Sequence, residues 1–402
     1  MEKTMLTYDL TKRGGKTKTL FIYERMKDDI LSGFLAPGAR LPSKRELAEH
    51  LGVSVITIEN VYGFLEEEGY IASKSRVGFF VNDLTLPASH RPPGAGHQSD
   101  MTGSRSDMAA LRFLKEETPP SAFSREETAY FPAMARIIRR LLSEKPYILQ
   151  QRSPQAGCAV LRNAIADYLR RYRGMAVQPA NIIIGSGAEY LYGLVIQLFG
   201  QGVRYGIESP SYKKIELVQR ANGAVIDYLR MGSDGILTEE LTRTEAKVLH
   251  VTPYHSFPTG VTASAEKRYE YLNWAVRTGG FIVEDDYDSE YAFFRKPIDP
   301  LFSMDTQGRV IYMNTFTKTL SPAIRIAYMI LSDELMRQYD IRLGFYSCPV
   351  PVLDQYVLAE FINDGGFERH LSRIRRETNR AEKRAEAASA RHLTKEVKLE
   401  DY

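Results

Sequence analysis

The sequence predicts an α/β protein with two parts: a small N-terminal winged helix-turn-helix and a larger domain built on a mostly parallel sheet flanked by helices. Three observations predict this. Residues 19–33, 43–51 and 54–67 carry helical apolar spacing with cap signals, and strand-like residues 70–81 follow them. Residues 84–120 shift abruptly to Pro, Gly and Ser. From about residue 125 to 380, short apolar runs alternate with amphipathic stretches.

The elements follow in chain order. Residues 19–33 read as an amphipathic helix ending near Gly33, and Pro37-Gly38 marks the next turn. Ser43-Lys44-Arg45-Glu46 has the capping-box form, in which serine and glutamate each satisfy an orphan backbone N–H. This second helix stops at Gly52. Ser54 caps a third, whose apolar positions Ile58, Val61, Tyr62 and Leu65 follow i, i+3, i+4, i+7 until Glu66-Glu67-Glu68-Gly69 ends it. Residues 70–81 suit two short strands around a basic turn. Three helices and a wing make residues 15–83 a DNA-binding module with residues 54–67 in the recognition position.

Residues 84–120 read as a flexible linker that decouples two domains while keeping them at high local concentration. Residues 121–380 form the α/β domain. Its strands include Asn181-Ile-Ile-Ile, Val248-Leu-His-Val, Gly280-Phe-Ile-Val-Glu and Val310-Ile-Tyr-Met. They are apolar throughout, as strands covered on both faces are. Residues 381–402 are a charged tail.

Composition sets bounds. The 44% apolar and 26% charged fractions are those of a globular protein. No run of 18 apolar residues exists, so no transmembrane helix and no membrane partner is expected. The N-terminus lacks the basic-then-apolar order of a signal peptide. Cys158 and Cys348 lie far apart and are expected as two reduced thiols in a cytoplasmic protein. A net charge of +3 does not by itself imply nucleic acid, and residues 1–83 balance 12 Lys and Arg against 12 Asp and Glu. The DNA case therefore rests on where the charges fall.

Ser43, Lys44 and Arg45 stand at a helix N-terminus, which suits phosphate oxygens. Lys74 and Arg76 lie on the wing, within reach of backbone or minor groove. Solvated surface charge is the alternative for each. Residues 54–67 contain no Lys or Arg, so base reading falls to Ser54, Thr57 and Asn60, without an arginine–guanine pair.

A second set of residues carries different chemistry. Lys318 sits among hydroxyl residues in Asn314-Thr315-Phe316-Thr317-Lys318-Thr319, with Arg325 seven positions on and Asp285 33 positions before it. An amine there can join an aldehyde as a Schiff base. Thr315, Thr317 and Arg325 can hold a phosphate, the arginine through its planar donor fork. Asp285 and Tyr287 end an apolar strand; a carboxylate there can pair with a protonated pyridine nitrogen, and the tyrosine can bond a ring phenolate oxygen. These acids could instead hold a divalent metal, but no histidine or further acid cluster accompanies them, and no metal is expected. Ser186-Gly187-Ala188 joins a strand to a helix and offers bare N–H groups to a phosphate, or simply close helix–sheet packing. Tyr212 can lie on an aromatic ring, or pack as most of the 24 tyrosines do. His255 can hydrogen-bond near a cofactor or serve structure alone.

In this order the residues resemble a known combination. Leu41-Pro42-Ser43-Lys44-Arg45-Glu46-Leu47-Ala48 and Leu51-Gly52-Val53-Ser54 resemble a GntR-type winged helix-turn-helix, and Glu284-Asp-Asp-Tyr-Asp-Ser-Glu with Thr315-Phe-Thr-Lys-Thr-Leu resembles fold-type I aminotransferases. Together, over about residues 18 to 380, the chain resembles the MocR/GabR subfamily of bacterial regulators. The resemblance implies pyridoxal 5'-phosphate bound to Lys318, Asp285 on the pyridine nitrogen, Tyr287 on the phenolate, and Tyr212 stacked on the ring. It implies a phosphate held by Gly187, Ala188, Thr315 and Arg325. It also implies a double-stranded DNA operator, an amino acid or amine effector, and a domain-swapped homodimer.

Some positions depart from the family pattern. Val55 stands where related heads carry arginine, Ser256 where a glutamine is usual, and Lys214 where a relative's arginine helps bind an effector carboxylate. Residues 367–402 give a charged helical stretch and a tail where relatives continue into a small C-terminal domain, so that domain is expected to be incomplete. The arginines of this stretch read as a solvated helix face. The expected function is a DNA-binding regulator that senses pyridoxal phosphate or an amine. The alternatives are an aminotransferase with a DNA-binding appendage and an impaired copy of such a regulator.

Overall fold

A computed structural model describes residues 6–14, 16–74, 77–83, 130–291, 299–321 and 323–376. The expected linker over 84–120, the tail over 381–402 and wing residue Arg76 lie outside the described residues.

The head holds α1 (Lys18–Leu31), α2 (Lys44–Leu51), α3 (Val55–Glu67), β1 (Ile71–Lys74) and β2 (Gly78–Val81). The capping box forms: Ser43 Oγ accepts from the Glu46 N–H at 3.3 Å, and Glu46 Oε2 accepts from the Ser43 N–H at 2.8 Å. Gly52 ends α2 at φ 61°, a left-handed conformation that favours glycine. Ser54 caps α3 by accepting from the Thr57 N–H at 3.1 Å. Ile58, Val61, Tyr62 and Leu65 are fully buried against Ile22, Tyr23 and Met26 of α1. Each aliphatic side chain so buried contributes roughly 1.5–3 kcal/mol. β1 and β2 pair antiparallel, with Ile71 opposite Val81.

The body is built on seven strands: β3 (Ile182–Gly185), β4 (Arg204–Ser209), β5 (Val225–Arg230), β6 (Val248–Val251), β7 (Phe281–Asp285), β8 (Val310–Thr315) and β9 (Ala327–Ile330). Their order is β3-β9-β8-β7-β6-β4-β5. β9 runs antiparallel to both of its neighbours, and the remaining pairs are parallel. Period-two alternation splits the side chains between two cores. Tyr312, Tyr328 and Ile330 face one, while Ile311, Met313 and Met329 face the other. The first core is closed by α4 (Phe131–Glu144), α5 (Ala159–Tyr172) and α12 (Val352–Asn363), the second by α6 (Ala188–Phe199) and α11 (Asp333–Leu343). A third lies beneath α9 (Ala265–Thr278). The remaining body helices are α7 (Lys213–Ala221), α8 (Thr238–Arg243) and α10 (Leu301–Met304), and residues 366–376 are helical as well. Cys158 and Cys348 are both free and buried.

The chain goes from β4 outward to β5, then returns to lay β6 on the other side of β4. That reversal opens a crevice at the carboxyl ends of the strands, where ligands bind in open α/β sheets.

The head packs on the body through α9. Ala265 is fully buried within the head's core, and its N–H donates to the Glu68 carbonyl at 2.7 Å. Arg268 reaches Glu68 Oε2 at 3.5 Å and donates to the Asp299 carbonyl at 2.9 Å. Tyr23 Oη donates to Glu68 Oε1 at 2.6 Å, and Lys27 pairs with the Asp299 carboxylate. Glu68 and Arg268 are 2% and 1% exposed, so neither charge tolerates loss of the other.

Candidate functional site

The carboxyl ends of the strands, with the start of α6, enclose a cavity of about 500 Å³. Eight of the sequence-predicted residues line it: Ala188, Tyr212, Asp285, Tyr287, Thr315, Thr317, Lys318 and Arg325. They come from the carboxyl ends of β7 and β8 and the turns after them, from the segment after β4, from the start of α6, or from just ahead of β9. Gly187 lies just beneath as the N-cap of α6 at φ 96°. A Cβ there would come within 2.6 Å of Arg325 Nη2, so only glycine leaves the guanidinium its place. Ser186, half-buried between β3 and α6, does not line the cavity.

His255 stands outside the wall. Its Nδ1 lies 3.1 Å from Asp288 Oδ2, its ring stacks on Tyr254 at 4.2 Å, and its carbonyl accepts from Tyr287 Oη at 2.9 Å. It orients two neighbours of the cavity instead of facing it. Tyr287 Oη is thus committed to a backbone carbonyl, while its ring lies 4.7 Å from Lys318 Nζ. Lys318 Nζ bonds Asp288 Oδ1. Thr317 Oγ1 donates to the Ile324 carbonyl at 3.2 Å and Thr315 Oγ1 donates to Thr317 Oγ1 at 3.0 Å. Both hydroxyl protons therefore point into the loop. The firm anion-holding groups are Arg325 and the amino end of α6.

Asp285 is 5% exposed and bonded by Tyr192 Oη. Burial first, then the Asp285 charge, pushes the Tyr192 phenol far up, so it stays a donor. Gln219 Nε2 lies 2.9 Å from His250 Nδ1, and His250 Nε2 lies 3.5 Å from Asp285 Oδ2. Beneath them Glu208 is buried and accepts from Ser256 Oγ at 2.6 Å and the Thr252 N–H at 3.1 Å. Burial pushes its carboxyl up to about 7 despite those bonds. Ser256 thus serves this buried acid.

Glu189 joins the two cations of the cavity rim: Arg325 Nη2 at 2.6 Å and Lys214 Nζ at 3.4 Å. Burial opposes its ionisation, but hydrogen bonding and the charge of Arg325 outweigh it and hold the carboxyl below its usual value. Sequence reasoning missed Glu189, Tyr192 and Asp288. Tyr192 lies four residues after Ala188, on the same helix face, and Asp288 belongs to the acidic run already singled out. These were the available signals.

The arrangement fits pyridoxal phosphate. A cavity of this size takes a small cofactor. The cradle over Gly187 with Arg325 suits a phosphate, the oriented Asp285 carboxylate suits a protonated ring nitrogen, and Lys318 supplies the amine. Among the described residues, no group of three or more His, Cys, Asp or Glu side chains could hold a metal ion. No helix among them is long and apolar enough to cross a membrane.

On the head, Arg45 and Lys74 have solvent access, as do Ser43, Ser54 and Asn60. Lys44 is tied to Glu59 of α3 at 2.9 Å, which restrains its reach toward a phosphate. Ser54 Oγ and Thr57 Oγ1 bond one another at 2.8 Å, so neither hydroxyl is free to read a base edge without giving up that bond.

Comparison with known proteins matches both parts of the chain. Residues 18–81 match the bacterial regulatory proteins of the gntR family, and residues 133–398 match aminotransferase class I and II. The chain is 31% identical to an uncharacterised HTH-type transcriptional regulator of Bacillus subtilis, YdeL, over 88% of this chain and 75% of that protein. It is 32% identical to a protein of Rhizobium meliloti named as a probable rhizopine catabolism regulatory protein, MocR, over 92% of this chain and 77% of that one. Among solved structures, it resembles LysN, the α-aminoadipate aminotransferase of Thermus thermophilus complexed with N-(5'-phosphopyridoxyl)-L-leucine. The TM-score is 0.55, with 28% identity over 64% of this chain and 65% of that one. The chain therefore belongs to the MocR-type HTH transcriptional regulators, in which a gntR-family head precedes an aminotransferase class I and II domain.

Proposed function

We propose that the protein is a pyridoxal-phosphate-dependent DNA-binding transcription regulator of the cytoplasm, whose body senses the cofactor, an amino-group effector, or both. The carrying observation is the meeting of Lys318, Asp285 and Arg325 in one cavity on a chain with a DNA-binding head. Lys318 would hold the cofactor covalently, Asp285 its ring nitrogen, and Arg325 with the Gly187–Ala188 turn its phosphate. When bound, the cofactor supplies an electrophilic carbon that exchanges amines. Asp288 bonds Lys318 Nζ, and Tyr192 Oη fixes the Asp285 carboxylate by donating to it. Lys214 at the rim suits an effector carboxylate in place of the family's arginine, as a point charge instead of a fork.

A route from cavity to head supports sensing. Glu284, next to Asp285, accepts from the Leu301 and Phe302 N–H groups at 2.7 and 2.9 Å. Those residues begin α10, shortly after Asp299, which pairs with Lys27 of the head. A change at β7 is thus mechanically close to the head's docking contact. A homodimer presenting two heads to paired half-sites completes the reading. Its support is the family, whose resemblance also implies exchange of heads between copies.

The test is spectroscopic. Wild-type protein incubated with pyridoxal phosphate should show a visible band that an amino donor shifts and Lys318→Ala lacks. A colourless wild type would sink the reading. Sustained transfer of amino groups to a keto acid would instead favour a working aminotransferase.

A further inference from the structure

The outward face of α3 carries Val55, Ile56, Asn60 and Gly63 along with Glu59 and Glu66. Both acids are engaged within the head: Glu59 pairs with Lys44, and Glu66 accepts from the Ser73 N–H at 3.0 Å. No Lys or Arg occurs from Val55 to Glu67. At the first turn, what projects is aliphatic: Val55 is 43% exposed and Ile56 67%. The neighbouring hydroxyls of Ser54 and Thr57 are spent on the cap and on each other.

Gly63 points the same way. A glycine in a helix interior costs about 1 kcal/mol relative to alanine. Here a Cβ added to the glycine would meet no heavy atom within 4 Å, so packing inside the head does not require it. On an outward face, its effect is to let another surface approach the helix backbone closely.

In the recognition position this face meets the major groove, where the one apolar group on any base edge is the thymine C5-methyl. Resting on the DNA-binding reading, we infer that Val55 and Ile56 read thymine methyls, so that each half-site is specified by A·T pairs at the first turn of α3 and not by a guanine contact. Asn60, exposed one turn further on, suits an adenine edge at the next position. Phosphate contacts fall to Arg45 and Lys74 outside α3.

The test uses the full chain. Half-sites are selected from a randomised duplex pool, and binding to the selected duplex is compared with binding to the same duplex carrying deoxyuridine for thymidine, which removes only the methyls. Each contacted methyl should be worth about fourfold in affinity, from roughly 0.8 kcal/mol per buried methyl-sized group. Val55→Ala with Ile56→Ala should bring the ratio of thymine-duplex to uracil-duplex affinity to about one, whatever the change in affinity for the uracil duplex itself. Both side chains are exposed, so the fold is not at stake. Selection of half-sites fixed by G·C pairs, or equal binding of thymine and uracil duplexes, would overturn the inference and leave DNA binding intact. Loss of self-association in the double variant with the thymine–uracil ratio unchanged would make the pair a contact between copies and overturn it too. No salt-sensitive binding to any duplex would overturn the DNA-binding reading itself.

Discussion

Gly187→Ala separates two quantities that one glycine controls. The residue has φ 96°, and a Cβ would meet Arg325 at 2.6 Å from Nη2 and 2.9 Å from Cζ. Backbone strain at such an angle costs roughly 1–3 kcal/mol whether or not cofactor is present. Displacing the guanidinium also breaks its bond to Glu189, but that pair is 49% and 29% exposed and contributes at most about 1 kcal/mol. The larger loss is to the cofactor. A charge-assisted phosphate bond is worth about 1.5–3 kcal/mol, so affinity should fall by roughly ten- to a hundredfold. Gly200→Ala is the control: φ is 99°, yet nothing lies within 4 Å of its Cβ. Urea denaturation without cofactor should show both variants destabilised by a similar amount. Titration with pyridoxal phosphate, followed by visible absorbance, should show only Gly187→Ala weakened. A Gly187→Ala protein binding within about twofold of wild type would refute the cradle, since the lost bond predicts far more.

Other consequences follow from the buried charges. Glu208 has its carboxyl raised from 4.5 to about 7 in the fold, so the folded state binds the proton more tightly than the unfolded chain. Its contribution to stability is therefore lost as pH rises between those values, by up to roughly 3 kcal/mol. Glu208→Gln removes this loss, and the stability difference between variant and wild type should grow from pH 4.5 and level off above 7 in urea melts. A flat difference would contradict the burial argument. Glu68→Ala strands the Arg268 charge and should cost roughly 3–5 kcal/mol, with Glu68→Ala/Arg268→Met costing less than the single change. A double variant no better than the single would show that the Asp299 carbonyl, and not Glu68, sustains the Arg268 charge. Asp299→Asn weakens the Lys27 contact away from the cavity, so it should leave cofactor titration unchanged while reducing any effect of cofactor on DNA affinity. Unchanged coupling would remove α10 from the route.

Much of this was legible in the chain. The head's caps at Ser43 and Ser54 and its stop at Gly52 are local signals, and they form as the residues direct. Strands such as Val248–Val251 and Val310–Thr315 read from their apolar runs, because both faces are buried. The antiparallel placement of β9 was not legible, since its pairing with distant β3 leaves no local trace. Lys318, Asp285 and Arg325 were found because their residue types and order are distinctive. Tyr192, Glu189 and Asp288 were not, because a tyrosine or acid on a helix or loop looks the same whether it faces solvent or a cavity. His255 shows the converse: a plausible ligand by type, it is not among the residues lining the cavity and bonds Asp288 and stacks on Tyr254 instead.

The central claim joins the two halves of the chain, and operator affinity measured with and without pyridoxal phosphate and amine tests it most directly. Coupling of about 1–3 kcal/mol, the usual range between sites, predicts a change of roughly five- to over a hundredfold in wild type. Lys318→Ala should bind the operator with one affinity under every condition. A wild-type protein whose operator affinity ignores both cofactor and amine would contradict the account.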